Sequence, residues 1–400
     1  MNLSSGLPFW LVKAGLPYDY DKLEKDISTD VAIVGGGISG ALAAYYLVNA
    51  GVDCVLVDGR TVGLGSTCAS TSLLQYEIDT PLSTLQHKIG LKNAVRAYRL
   101  CSNAIDKLHG IAKKVKYDGF TYRKSLYYAA HKNHVNFLKE EFAIRKKSGF
   151  AVSWLTETAL TNRFGFTAHA AILSEQGAET NAYEFAHAIH QYTKKKGMQI
   201  YDRTTVERAV HHRNRFLLKT STGFTIKAKK IIYATGYEAL KLIDKRIADL
   251  RSTYATVSEQ QNSHNNSWRD NALIWNTDDP YLYLRTTNDR RIIIGGRDEG
   301  FYAPPKRDRL IKKKSALLAK DFNRLFPHIP FKPEFSWTGT FAVTKDGLPY
   351  IGQYNRLPGR YFALGFGGNG ITFSQLAGEI IRDEIIGKKN KDAAIFSFDR

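Results

Sequence analysis

Three glycines and one acid carry the first chemistry legible in this 400-residue chain. Gly35, Gly37 and Gly40 form a Gly-x-Gly-x-x-Gly run inside DVAIVGGGISG (30–40), and Asp58 lies near the end of DCVLVDGR (53–60). Such glycines permit a tight turn at Gly35, backbone approach to a pyrophosphate at Gly37, and close helix–strand packing at Gly40. The helix opened by Ile38 and Ser39 would aim its positive N-terminus at the phosphates. Asp58 follows Gly40 by 18 residues, where a carboxylate can accept both ribose hydroxyls. Ligand-free glycine turns share the bare spacing, but the flanking apolar strands and the acid favour a dinucleotide.

The elements needed to position these groups can be read around them. A βαβ unit ends near residue 60, and the polar stretch Gly63-Leu-Gly-Ser-Thr-Cys-Ala-Ser-Thr71 reads as a loop entering a short helix. Residues 1–28 read as an irregular aromatic-rich arm. Helical periodicity covers 85–115, 133–147 and 182–197; strand patterns cover 120–130, 199–210, 216–221, 224–228 and 230–236. From 251 to 337 the chain reads as strand-rich, with Tyr281-Leu-Tyr283-Leu-Arg285 and the run 291–296. A last strand leads into the glycine turn Gly367-Gly368-Asn369-Gly370-Ile371-Thr372 and a helix. The fold class is α/β (α+β overall).

Composition narrows the function. Apolar residues make up 43% of the chain and aromatics 12%, enough for a sizeable core. No segment approaches the roughly 18 apolar residues of a membrane span, and no signal peptide is evident. A soluble, cytoplasmic protein is expected. Cys54, Cys68 and Cys101 are odd in number and lack a CxxC spacing, which argues against a disulfide frame or thiolate metal site. The net charge of +19 is spread along the chain. Runs such as Arg145-Lys146-Lys147 and Lys194-Lys195-Lys196 precede glycines, where solvated cations complement a helix dipole. Nucleic acid is therefore not expected as a partner, while peripheral contact with an anionic membrane stays open. His187 and His190 share one helix face, but no third ligand accompanies them. They read as ordinary helix-surface histidines, and no metal site is expected.

Taken together, these motifs resemble the FAD-dependent oxidoreductases of the D-amino-acid oxidase, glycine oxidase and sarcosine oxidase type, from about residue 30 to 386. The resemblance rests on VGGGISG with Asp58-Gly59-Arg60, GSTCAS, the strand carrying Val206, the ATG turn at Ala234-Thr235-Gly236, and DGLPYIG with GFGGNGIT. It implies noncovalently bound FAD held by Gly35, Gly37, Ile38, Ser39, Gly40, Asp58, Gly59 and Arg60. Ser66 and Thr67 would reach the pyrophosphate, Val206 the adenine, and Thr235 and Gly236 the cofactor's flank. Gly368, Asn369, Gly370, Ile371 and Thr372 would place a helix N-terminus at the flavin pyrimidine. It also implies a Rossmann-like FAD-binding domain (1–80, 176–245, 340–400) interleaved with a substrate domain (81–175, 246–339) on a mixed or antiparallel β-sheet.

Two positions depart from the resemblance. Family members bind the substrate carboxylate through an arginine before the DG-P-IG motif; here Phe341 holds that place. Arg285 is the first substitute, with Tyr283 beside it, and Arg297 the second. Ile293 stands where sarcosine-oxidase relatives place the lysine that promotes oxygen reaction. No thiol occurs in 339–344 for a covalent flavin link. The acceptor is thus left as O2 or a quinone or protein.

The implied activity is oxidation of a C–N bond in an amine or amino acid by hydride transfer to flavin N5, giving an imine that hydrolyses. Tyr254, Tyr283, Tyr302 and Trp275 are candidates for an aromatic ammonium pocket. The alternatives are a flavin dehydrogenase of a hydroxy acid, a basic RNA-associated flavoprotein, and a plain NAD-dependent dehydrogenase.

Overall fold

A computed structural model describes residues 3–261, 268–301 and 303–400. The strand Ile27–Val34 lies parallel to Cys54–Val57 on one side and to Thr225–Tyr233 on the other. Gln199–Tyr201 and Arg360–Leu364 extend the two flanks in parallel, and Tyr350–Gln353 closes one edge antiparallel. Val31 to Val34 and the whole of Cys54–Val57 are buried, so these strands show continuous apolar runs instead of alternation.

The helix Ile38–Asn49 connects the first two strands. Its buried positions include Gly40, Ala41, Ala43 and Ala44, which let it lie close to the sheet. A Cβ on Gly40 would stand 1.9 Å from the Gly35 carbonyl oxygen. This helix packs against Gly370–Ile385 from the far end of the chain. The Ser39 and Ser374 hydroxyls meet at 2.7 Å, and the Gln375 amide donates to the Tyr46 hydroxyl at 2.6 Å.

Among the described residues, ten strands form a second sheet. Pro333–Thr344 pairs with Ala248–Ser258, which pairs with Ile292–Gly300, which pairs with Tyr283–Thr286, all antiparallel. Leu273–Asn276 runs parallel to Thr121–Tyr128, making the sheet mixed. The helix Ile311–Leu325 covers one face, with Leu318 and Phe322 buried beside Tyr254 and Ile294.

Several elements differ from the sequence reading. The helical stretch 85–115 is two helices, Leu82–Ile89 and Leu91–Lys114, because Gly90 adopts φ 80° and ψ 148° between them. The stretch 251–337 contains the helices Pro304–Arg309 and Ile311–Leu325. The N-terminal arm is ordered: Ser4–Gly6 pairs with Trp337 to Gly339, and Phe9–Ala14 is helical. By hydrogen bonding, Ser4–Gly6 and Leu73–Gln75 belong to the second sheet, and Pro333–Thr344 runs unbroken across the expected boundary at 339/340.

Two features expected at the surface are inside. Arg145 is fully buried between Glu141 and Glu77, whereas Lys146 and Lys147 are exposed. His187 and His190 are also buried. The His187 Nδ1 faces the Tyr20 hydroxyl at 3.0 Å, and the His190 Nε2 faces the Gly36 carbonyl at 2.9 Å. Burial holds His187 down to about 3, aided by His190, and His190 down to about 4. Among the described residues, no group of three or more His, Cys, Asp or Glu side chains is placed to hold a metal ion.

These depressed values have a sign. Unfolded imidazoles protonate near 6.5 while the folded ones stay neutral, so acid favours unfolding. The loss approaches about 2 kcal/mol per histidine near pH 5. A His190→Gln variant keeps an N–H donor for Gly36 but removes the titration. Its stability deficit against the parent is expected to shrink between about pH 7.5 and pH 5. Urea unfolding at both pH values measures it, and a constant deficit would refute the linkage.

Candidate active site

A cavity of about 710 Å³ is lined by residues of both sheets. One end is built by the βαβ unit. Gly35 takes φ 111°, and a Cβ there would stand 2.5 Å from the Ala234 carbonyl oxygen. Gly37, Ile38 and Ser39 bring the first turn of the helix Ile38–Asn49 to the cavity wall. The Ile38 amide donates to Thr67 Oγ1 at 3.0 Å, tying this turn to the short helix Ser66–Ala69. Ser66 also lines the cavity, and its buried hydroxyl has no protein partner.

Asp58 lies at the end of this wall. Its Oδ2 accepts the Gly36 amide at 2.6 Å and its Oδ1 accepts the Arg60 amide at 2.8 Å. Each oxygen keeps a further lone pair for a ribose hydroxyl. Burial pushes the Asp58 carboxyl up, opposed by these two amides. Arg60 is held by Glu238 at 3.0 Å. Gly59, Val206, Thr235 and Gly236 complete this end.

The Gly370–Ile385 helix enters from the other side through Gly368, Gly370 and Ile371. Gly40, Asn369 and Thr372 stand behind the wall. The Asn369 side-chain amide donates to the carbonyls of Gln75 (3.2 Å) and Glu77 (2.7 Å), and Thr372 Oγ1 donates to the Asn369 carbonyl at 2.9 Å. Their part is to fix the turn.

The substrate candidates fall into two groups. Tyr283 lines the cavity, with its hydroxyl 3.3 Å from Thr253 Oγ1. Phe341 lines it too. Arg285 does not: it is buried, and its guanidinium donates to the carbonyls of Thr286, Thr71, Ser72 and Thr180 at 2.8–3.1 Å. It also lies 3.4 Å from Glu179. Arg297 is clamped by Asp321 at 2.6 and 2.7 Å. Trp275 stacks on Tyr127 at 3.7 Å, and Tyr254 sits in the core against Phe322, so neither meets the cavity. Ile293 is buried with Phe9 and Trp337. Tyr302 lies outside the described residues.

Sequence reasoning missed the acids. Asp298, next to Arg297, lines the cavity beside Thr253, Tyr281 and Tyr283. Burial, together with the charges of Asp79 and Asp279, pushes its carboxyl up to about 6 against the pull of Thr253 and Arg251. Asp79 accepts the Gly368 amide at 2.7 Å and the Tyr281 hydroxyl at 3.1 Å, and burial pushes it up as well. Strand alternation offered no signal here, because Arg297 has φ 56° and the pairing register shifts opposite it, between Ser252 and Tyr254.

A parallel βαβ sheet with a glycine turn and a buried acid at its end, facing a mixed sheet across one cavity, is the architecture of a dinucleotide-binding protein. The chain belongs to the FAD-dependent oxidoreductase family, whose signature matches residues 30–384. It is similar to the glycine oxidase of Geobacillus kaustophilus, 25% identical over 93% of this chain and 97% of that protein. It is also similar to the gamma-glutamylputrescine oxidoreductase of Escherichia coli, 22% identical over 92% of this chain and 86% of that one. In fold it matches the L-amino acid deaminase of Proteus myxofaciens with a TM-score of 0.79, at 15% identity over 96% of each chain. The L-proline dehydrogenase of P. horikoshii gives 0.77, at 18% identity over 93% of this chain and 97% of that one.

The cofactor is FAD. The residues present fit it: the acid with spare lone pairs, the orphaned Ser66 hydroxyl, and the glycine cradle at Gly35 that a Cβ would close. Cys54, Cys68 and Cys101 are free and buried, and no described lining residue is a cysteine.

Proposed function

We propose that the chain oxidises a C–N bond of a small amine, with FAD bound noncovalently. The observation that carries this reading is the makeup of the cavity wall beyond the glycine turn: Tyr281, Tyr283, Phe341 and Asp298, with no described Lys or Arg among its lining residues. The cavity's basic residues, Arg60, Arg208 and Lys241, belong to the segments around Asp58 and Val206 and to the turn Gly236–Leu242. An apolar, aromatic and acidic wall suits a cationic or neutral amine and disfavours a hydroxy acid, whose carboxylate would find no partner.

When bound, FAD would supply the two-electron acceptor for the hydride of the amine-bearing carbon. The amine nitrogen gives up a proton to water, its lone pair completes the C=N bond, and hydrolysis of that imine releases the carbonyl product. The protein's part is to hold the substrate in the aromatic slot and keep water from the reacting face. The N-terminus of Gly370–Ile385, which lines the cavity, would offer positive potential to a bound flavin. The electron acceptor is O2 or a quinone or protein. Three buried thiols and the absence of any described helix long and apolar enough to cross a membrane support a cytoplasmic setting.

Anaerobic mixing of the yellow holoprotein with panels of amines, amino acids and hydroxy acids tests the reading. Bleaching of the flavin band by amines is expected. Bleaching by hydroxy acids alone would replace the proposal with the second class.

A further inference from the structure

The cavity contains a carboxylate that the oxidation step does not use. Asp298 lines the cavity wall; its Oδ1 is buried with no hydrogen-bond partner in the protein, and Thr253 is the side-chain hydroxyl that supports the carboxylate. Such a group is costly unless something completes it, and a ligand cation would do so. Its neighbours are the hydroxyl of Thr253 and the rings of Tyr281 and Tyr283, whose centroids lie 5.9 Å apart. Carboxylate and aromatic faces together form an ammonium site.

We propose that Asp298 anchors a second, protonated nitrogen of the substrate, so that the site takes diamines or polyamines in preference to α-amino acids. The inference rests on the amine-oxidation reading and narrows it. A carboxylate beside the reacting nitrogen would hold its proton on and block oxidation, since that nitrogen must present a lone pair. Asp298 therefore serves a different nitrogen, and the substrate carries two. The place where an α-carboxylate would be gripped holds Phe341. The strand residue paired across from Phe341 is Arg251, a cation that acts on both Asp298 and Asp79. Its guanidinium lies 3.6 Å from Asp279, and it is not among the described lining residues.

The groups interacting with Asp298 include Asp79, Asp279, Arg251, Tyr254, Tyr281, Tyr283 and Thr253. With its carboxyl titrating at about 6, diamine affinity weakens as pH falls through that value. Perturbation of the flavin absorption band reports binding to the holoprotein without turnover. Under anaerobic conditions, 1,4-diaminobutane, butylamine, glycine and acetate are each titrated against the parent and Asp298→Asn. The parent should prefer the diamine to the monoamine. Asp298→Asn should weaken the diamine by at least about tenfold, leave butylamine within about twofold, and keep its full FAD content. Asp298→Glu should restore part of the loss. Equal diamine affinity in parent and Asp298→Asn would overturn the inference. So would tighter binding of glycine or acetate that disappears in Arg251→Met, which would mark a carboxylate site instead. Diamine binding that depends on Asp298 but never bleaches the flavin would retain the anchor and remove the amine-oxidation reading.

Discussion

A Gly35→Ala variant is expected to purify without its yellow colour. Gly35 adopts φ 111°, and its missing Cβ would stand 2.5 Å from the carbonyl oxygen of Ala234. That oxygen cannot step aside easily. Ala234 is tied to the parallel strand by its amide, which donates to the Val34 carbonyl at 2.8 Å, and Gly35 itself donates to the Val57 carbonyl at 2.8 Å. The methyl group thus forces apart two strands whose ends form the cofactor wall, and adds the strain of a positive φ. Together these cost about 3–4 kcal/mol, an FAD affinity loss on the order of several hundredfold. Fluorescence titration of the apoprotein with FAD measures it. Retention of stoichiometric FAD through purification would show that the strands separate without cost.

The second large effect is at Arg145. Its Nε donates to Glu141 at 2.6 Å and its Nη1 to Glu77 at 3.3 Å, with all three side chains buried. Glu141 also accepts the amides of Leu82 and Ser83, at 3.0 and 2.7 Å, so it caps the start of the helix Leu82–Ile89. The rings of Tyr76, Tyr98 and Tyr127 surround the guanidinium at 5.7–6.0 Å. An Arg145→Met change keeps the volume but leaves two carboxylates buried without a counter-charge, and is expected to cost about 3–5 kcal/mol. Adding Glu141→Gln and Glu77→Gln should recover part of it. The readout is the urea midpoint of the holoprotein. A single variant as stable as the parent would mean that water or a proton already neutralises the acids.

The glycine-rich wall proposed to hold FAD was legible because its pattern is local. Gly35, Gly37, Gly40 and Asp58 sit within one βαβ unit, where spacing alone sets geometry. The substrate wall was not, because it is made of strands paired at long range. Arg285 and Tyr283 share one face of the strand Tyr283–Thr286, yet Arg285 ends beneath the loop carbonyls of Thr71 and Ser72. A bulge between Ser252 and Tyr254 and the positive φ of Arg297 decide that Asp298 faces the cavity. Charge runs misled for the same reason: nothing local separates Arg145, held by Glu77 from 68 positions away, from the solvated Lys146 beside it. The helix Ile311–Leu325 was visible in the periodicity of Leu318 and Phe322 and was masked by the strand-rich reading of its surroundings.

The clasp between Ile38–Asn49 and Gly370–Ile385 sets the order of events at the ribosome. The phosphate turn is made early, but its partner helix begins 335 residues after Gly35. At about 5–20 residues per second the two are separated by roughly 20–70 s of synthesis. During that interval the nascent chain carries an open cradle whose lid has not been made. Flavin capture that needs both walls must therefore wait until the helix Gly370–Ile385 has been made, and a product terminated before Gly370 is expected to emerge as an apoprotein.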